Sequence, residues 1–318
     1  MTTNKEKALK IGQNLYAQNG VIVNSGTIAI LSALKLSNLR LGANVLINGY
    51  SCYSLFEAIK VAGYNPIFLV PKNFFNISIE EIEYVMGKYK IDCFIAAHQY
   101  GLVQHIKKIK EKFPNLIIIE DIAQAWNIKE NDLGIGAYSD YVVTSFGKSK
   151  PLSYGQAGAI FSKENIQEYF DFHDRNSRQK NHFLLPFALY ECDSIQEDKL
   201  IKSANKIVNK QREISKYLSE YFQNNDNIEI FYDSEGQKSV WHKFPVIIKN
   251  PEYASQLEKI LKENNILYQW QNQEEVWELG MVKDYNCEII KNASKPKYIL
   301  IRTRQNEVEN VKKLIRRK

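Results

Sequence analysis

The chain has 318 residues with 15 Gly and 8 Pro, and carries no low-complexity tract or internal repeat, which excludes a disordered protein and a solenoid. Its apolar fraction of 44% and charged fraction of 25% are those of a chain able to bury a large core, as one big α/β domain or a large domain with a smaller appendage. A formal net charge of +6 would suit an anionic substrate without requiring one, and the basic tail VKKLIRRK, with no aromatic interleaving, reads as a helix end complementing its own dipole rather than a nucleic-acid surface.

The opening MTTNKEKALKIGQ reads as a polar arm without the apolar centre of a secretory signal. VIVN (21–24) predicts a strand, followed by the turn SGT and a buried helix over IAILSALKL. NVLIN (44–48) is the next strand, and SLFEAIKVAG a helix closed by Gly63 as C-cap. PIFLV (66–70) leads into the helix ISIEEIEYVMGKYK, and IDCFIAA (91–97) into VQHIKKIKEKF, which stops before Pro114. LIIIE (116–120), YVVTSF (141–146) and GAIFS (158–162) complete the series. Continuous apolar strands alternating with helices predict an α/β fold, a mostly parallel sheet covered on both faces in three layers. Ligands of such sheets collect at the carboxyl ends of the strands.

After about residue 165 the texture changes. A long helix is expected over roughly 195–222, then a strand in WHKFPVIIKN, a helix in ASQLEKILKENN, a strand in YILIRTR and a terminal helix. The expected division is a large ligand-binding domain over 1–195 and, over 196–318, a connecting helix with a small C-terminal α+β domain. No run is long enough to cross a bilayer. Cys52, Cys93, Cys192 and Cys287 are scattered, without a CxxC pair or a His at ligand spacing, so no metal site is expected and a reducing cytoplasm fits best.

The chemistry concentrates in 116–159. Asp121 follows the strand LIIIE, and Lys150 follows YVVTSF in a turn-rich return to the next strand. An acid and a lysine so placed are what pyridoxal 5'-phosphate (PLP) requires: the lysine forms a Schiff base with the aldehyde, and the acid keeps the pyridine nitrogen protonated so that the ring is an electron sink. The bland alternatives are that Asp121 caps the next helix and that Lys150, like its neighbour Lys148, is solvated. Gln124 lies one helical turn beyond Asp121, within reach of a ring substituent. Ser25-Gly26-Thr27 at a helix start form a phosphate cup or an ordinary N-cap, and Ser145 could add a hydroxyl to the same phosphate.

These stretches resemble the DegT/DnrJ/EryC1/StrS sugar aminotransferases, PLP enzymes of the aspartate-aminotransferase fold (fold type I). NSGTIAILSALKL, VLINGYSCYSLFEAI, AAHQYG, IIIEDIAQA and SFGKSKPLSYGQAGAIFS carry the resemblance, with HKFPVIIK as a fainter continuation. It implies Lys150 as the cofactor lysine, Asp121 and Gln124 from ED-x-A-Q, Gly26 and Thr27 from the SGT turn, and Ser145 from the motif serine. It implies transfer of an amino group from a glutamate-like donor to a keto sugar carried on a nucleotide, in a homodimer with shared sites. Other PLP chemistry on a related sugar, or a non-catalytic PLP-binding homologue, would use the same cofactor residues.

The sequence departs from the family in two places. Where relatives place an aromatic ring over the cofactor stands Cys52, flanked by Tyr50 and Tyr53. The glycine–asparagine–tyrosine–arginine stretch that reaches the partner's site has no match in DRNSRQKNHFLLPFALYECDS, where Arg175, Arg178 and Lys180 could meet a substrate phosphate or simply be solvated. His98 is expected near the site and His105 on a helix face.

Overall fold

The computed structural model describes residues 3–130, 134–178, 189–271, 274–285, 287–303 and 307–316. In chain order the first half runs α1 (Asn4–Ile11), β1 (Asn19–Val23), α2 (Gly26–Leu36), β2 (Asn44–Asn48), α3 (Tyr53–Ala62), β3 (Asn65–Val70), α4 (Ile79–Lys88), β4 (Cys93–Ala97), α5 (Ile106–Lys112), β5 (Ile117–Asp121), the two-residue β6 (Lys129–Glu130), β7 (Tyr141–Ser145) and β8 (Gly158–Ser162). The rest runs α6 (Gln167–Arg178), α7 (Glu197–Phe222), β9 (Ile228–Ile230), the two-residue β10 (Gln237–Lys238), β11 (Lys243–Ile248), α8 (Tyr253–Glu263), β12 (Tyr268–Trp270), α9 (Gly280–Asp284), β13 (Glu288–Lys291), β14 (Tyr298–Arg302) and α10 (Val308–Arg316).

The large sheet has eight strands in the order β1-β8-β7-β5-β4-β2-β3-β13, and only β8 runs against the others. Its central strands are apolar on both faces because helices cover both: Ile118 and Ile119, adjacent on β5 and so on opposite faces, are each fully buried. A four-stranded antiparallel sheet, β12-β14-β11-β9, forms from 228–302. The strand β13, which lies between β12 and β14 in the chain, leaves that sheet and pairs in parallel with β3. Nothing in the local pattern EIIK predicts that crossing.

The opening segment, expected as a polar arm, is a helix. Thr3 and Glu6 form a capping box at its start, and Ala8 and Ile11 are buried beneath it. Gly63 ends α3 in the left-handed conformation (φ 84°), as its sequence position predicts.

The geometry that matters most for the site is the close approach of β8 to the start of α2. A Cβ on Gly158 would lie 2.6–2.7 Å from Ser25 C, Ser25 O and Gly26 N, all backbone atoms that no rotamer change can move. Gly158→Ala is therefore expected to destabilise the chain by roughly 1–3 kcal/mol and to displace the Ser25–Thr27 turn, which thermal unfolding together with PLP titration checks.

Candidate active site

The seven co-directional strands of the large sheet bring several loops to one edge. β1 leads through Ser25 into α2, β2 into the turn before α3, β4 into His98 and Gln99, β5 ends on Asp121 and β7 ends on Ser145. These carboxyl ends enclose a cavity of about 250 Å3. Gly26, Thr27, Cys52, Asp121, Gln124, Ser145 and Lys150 line it, together with Ser25, Ser54, Gln99 and others.

Asp121 is in register with Ala97 of β4 and Val143 of β7, at the centre of this edge. Its Oδ1 accepts a 2.8 Å hydrogen bond from Ala123 N. Burial pushes its carboxyl above the ordinary value, against the downward pull of that bond and of nearby Lys150 and His98. A desolvated carboxyl at the floor of a cavity is stabilised in its charged form by a proton-bearing partner on the cavity side.

Lys150 is half-buried and lines the cavity, whereas Lys148 is exposed and does not. The loop that carries Lys150 is tightly built. Phe146 O accepts from both Tyr154 N and Gly155 N at 2.9 Å, Lys150 N donates to Gly147 O at 2.9 Å, and the Phe146 ring is fully buried beneath it. Tyr154, half-buried, is tied through its hydroxyl to Ser194. Among the described residues Lys150 Nζ makes no hydrogen bond or salt bridge, so the amine is available to a ligand.

At the start of α2 the Ser25 hydroxyl accepts from Ile28 N at 3.1 Å, so it serves as the N-cap. The N–H groups of Gly26 and Thr27, the first two of the helix, have no carbonyl four residues back. No acidic residue occupies that first turn, which leaves it open to an anion. A Cβ on Gly26 would sit 2.8 Å from Ser145 Cβ: glycine is what lets the helix start lie against Ser145. Ser145 Oγ accepts from Gly147 N at 3.3 Å and lines the same cavity.

The turn before α3 resolves which of its residues face the ligand. Cys52 and Ser54 line the cavity. Tyr50 does not: it is 2% exposed and packs edge-on against Phe75 and Tyr298 in the core. Tyr53, singled out from sequence as a cofactor residue, is not among the lining residues either. It opens α3, is 40% exposed, and its ring lies beside Phe56. The helical geometry explains this, since consecutive residues of a first turn point about 100° apart. Arg175, Arg178 and Lys180 lie outside the residues whose side chains are described, as does the segment 179–188.

Two histidines and a glutamate separate into structural roles. His98 is buried; its Nδ1 accepts from Gln104 N at 3.0 Å, so Nε2 carries the proton and faces Glu120 Oε1 at 3.0 Å. Both ring nitrogens are thus engaged. Glu120 points to the opposite face of β5 from Asp121, where its Oε2 accepts from Gly136 N at 2.9 Å and Ser139 Oγ at 2.8 Å. His105 meets Glu130 at 3.2 Å, away from the cavity. Gln99 and Ser54 also line the cavity; their only signal in the sequence is their place just after strands, within HQYG and GYSCYS.

An acid, a lysine and a helix start meet at the carboxyl edge of a mostly parallel sheet, in the architecture of the fold type I aminotransferases. The chain belongs to the DegT/DnrJ/EryC1/StrS aminotransferase family, whose model matches residues 4–296, and aminotransferases of that family are PLP-dependent. It is similar to GDP-perosamine synthase of Escherichia coli O157:H7, 27% identical over 158 residues that cover 49% of this chain and 43% of that protein. It is also similar to UDP-N-acetyl-3-dehydro-alpha-D-glucosamine 3-aminotransferase of Acidithiobacillus ferrooxidans, 32% identical over 151 residues, 46% of this chain and 40% of the other. The matched stretch therefore spans about two fifths of these relatives' length. Among solved structures, a Streptococcus pneumoniae protein in its PLP form superposes with a TM-score of 0.75 at 14% identity, over 100% of this chain and 93% of that one. No helix among the described residues is long and apolar enough to cross a membrane.

Proposed function

We propose that this chain is a PLP-dependent aminotransferase that converts a keto sugar, carried on a nucleotide, into an amino sugar with a glutamate-like donor. The observation that carries the reading is Asp121 and Lys150 lining one cavity with Gly26 and Thr27 at the start of α2. The residues fit the cofactor: a desolvated carboxylate for a pyridine N–H, an unengaged amine for an aldehyde, and a helix start for a phosphate.

When bound, PLP supplies an electron sink for the carbon that loses or gains the amino group. Asp121 would hold a proton on the ring nitrogen, and the ring's positive charge would in turn relieve the desolvation of its carboxylate. Lys150 Nζ would anchor the aldehyde and, once released, take up and return a proton on the cavity side. Gly26 N, Thr27 N and Ser145 Oγ would fix the phosphate, and Gln124 would meet a ring substituent. Cys52 in place of a large aromatic leaves that side of the cavity thinly covered. The relatives' names carry GDP in one case and UDP in the other, which supports a nucleotide-linked sugar without selecting the nucleotide.

The same reading includes a cytoplasmic homodimer with shared sites, and a large domain over 1–195 joined by α7 to a smaller C-terminal domain. Incubated with PLP and glutamate but no sugar, the protein is expected to release one equivalent of 2-oxoglutarate per chain. Release of none, with PLP bound at Lys150, would favour another donor, other PLP chemistry or a non-catalytic homologue.

A further inference from the structure

Tyr100, between the cavity residues His98 and Gln99 and the core, is a non-glycine residue in the left-handed region (φ 55°). Such a conformation persists only where its surroundings over-determine it. Its backbone N–H donates to Gln124 Oε1 at 3.1 Å. That bond fixes which end of the Gln124 amide faces Tyr100 and leaves both N–H donors, with one remaining lone pair on the oxygen, for another partner.

What holds Tyr100 comes from the other end of the chain. Its buried hydroxyl makes a long 3.4 Å contact with the Tyr298 hydroxyl, and the Phe75 ring packs edge-on against both rings, at 4.9 Å and 5.4 Å between centroids. Tyr298, fully buried on β14, donates to Glu275 Oε1 at 2.9 Å. Glu275 is itself buried and fixed by its N–H to Glu278 Oε2 at 2.8 Å, and Lys295 pairs with that same Glu278. The next residue is wedged as well. Gly101 O accepts from Val240 N at 2.9 Å, and a Cβ on Gly101 would meet Gln124 O, Trp241 N and His242 N at 2.9–3.0 Å.

We propose that Glu275 and Tyr298 are positioning residues that act through Tyr100 to set the Gln124 amide, so that the small C-terminal sheet fixes how Gln124 addresses the cavity. The consequence for a ligand rests on the PLP reading above; the relay itself does not. Set in this way, Gln124 presents hydrogen-bond donors, the polarity required by an oxygen on the ring.

The test is a double-mutant cycle between Tyr298→Phe and Gln124→Ala, read in two ways. In cofactor-free protein the unfolding midpoints of the two single variants and the double variant are compared. Sites that share no contact add, so a relay predicts clear non-additivity, and simple additivity overturns it whether or not PLP binds. In PLP-loaded protein, Tyr298→Phe is expected to weaken PLP binding roughly five- to tenfold and to shift the visible band as Gln124→Ala does, with no further change in the double variant. A wild-type band position and affinity in Tyr298→Phe overturns the positioning role even if its unfolding midpoint falls. Glu275→Gln keeps the acceptor for Tyr298 and is expected to retain the wild-type band, whereas Glu275→Ala is expected to lose it. Tyr100→Phe cuts the same relay should Tyr298→Phe not fold. If wild-type protein binds no PLP at Lys150 the functional reading fails, and the unfolding cycle still decides the relay.

Discussion

Asp121→Asn is expected to raise the unfolding midpoint of the cofactor-free protein at neutral pH while weakening PLP binding roughly 10- to 100-fold. The two effects share one cause. Burial raises the Asp121 pKa in the folded chain, so folding favours its protonated form. Its stabilising contribution is complete below the ordinary carboxylate value, about 3.9, and is lost as pH rises through the higher native value. Above that range the native state carries the cost of burying this carboxyl. Asparagine keeps an oxygen to accept from Ala123 N and removes the charge, which is worth on the order of 2 °C in midpoint for a chain of this size. The same change replaces a charge-assisted contact to a protonated ring nitrogen with a neutral one, a difference of about 1.5–3 kcal/mol. Thermal unfolding at pH 4 and pH 7, with and without PLP, checks both halves. The stabilisation is expected to shrink at the lower pH, and an Asp121→Asn variant less stable than wild type at pH 7 would show that the Lys150 attraction outweighs burial.

Glu120→Ala is expected to produce the largest loss of stability of any single change near the site. It would leave the His98 ring, Gly136 N and Ser139 Oγ without their shared acceptor in a buried place. Stranded buried donors cost about 1–3 kcal/mol each, which puts the loss at roughly 3–5 kcal/mol. Against a total stability of about 5–15 kcal/mol this threatens folding at physiological temperature, with the midpoint lower by on the order of 10 °C. The effect should reach the cavity as well, because His98 lines it on one side and is held by Glu120 on the other. Glu120→Gln, which keeps an acceptor for part of this set, is expected to lose clearly less. Equal midpoints for Glu120→Ala and wild type would remove Glu120 from any supporting role.

The strands of the large sheet were legible because their pattern is extreme. Runs such as NVLIN and GAIFS are apolar on both faces and bounded by turn residues, and both match the observed strands residue for residue. Gly63 was legible because only its backbone conformation matters there. Legibility failed where the deciding force is not local. The strand Glu288–Lys291 joins the large sheet from far along the chain, and the helix Asn4–Ile11 is fixed by burying Ala8 and Ile11 against distant elements. Within the site, the placement of Asp121, Gln124, Ser145 and Lys150 at the cavity was legible because each lies at a strand end or in the loop directly after one. Tyr50 and Tyr53 could not be separated from Cys52 in that way: within one four-residue stretch the three diverge to core, surface and cavity. His98, expected near the site, lines the cavity and is held by Glu120 in a buried bracket that braces the loops around it.

The central claim is tested most directly by reducing PLP-treated protein with borohydride and mapping the labelled residue, in wild type and in Lys150→Ala. A reducible visible band with the pyridoxyl label on Lys150, absent in Lys150→Ala although that variant unfolds cooperatively, is the predicted result. Label on Lys148 or another lysine, or no band in the wild-type protein, would contradict the account.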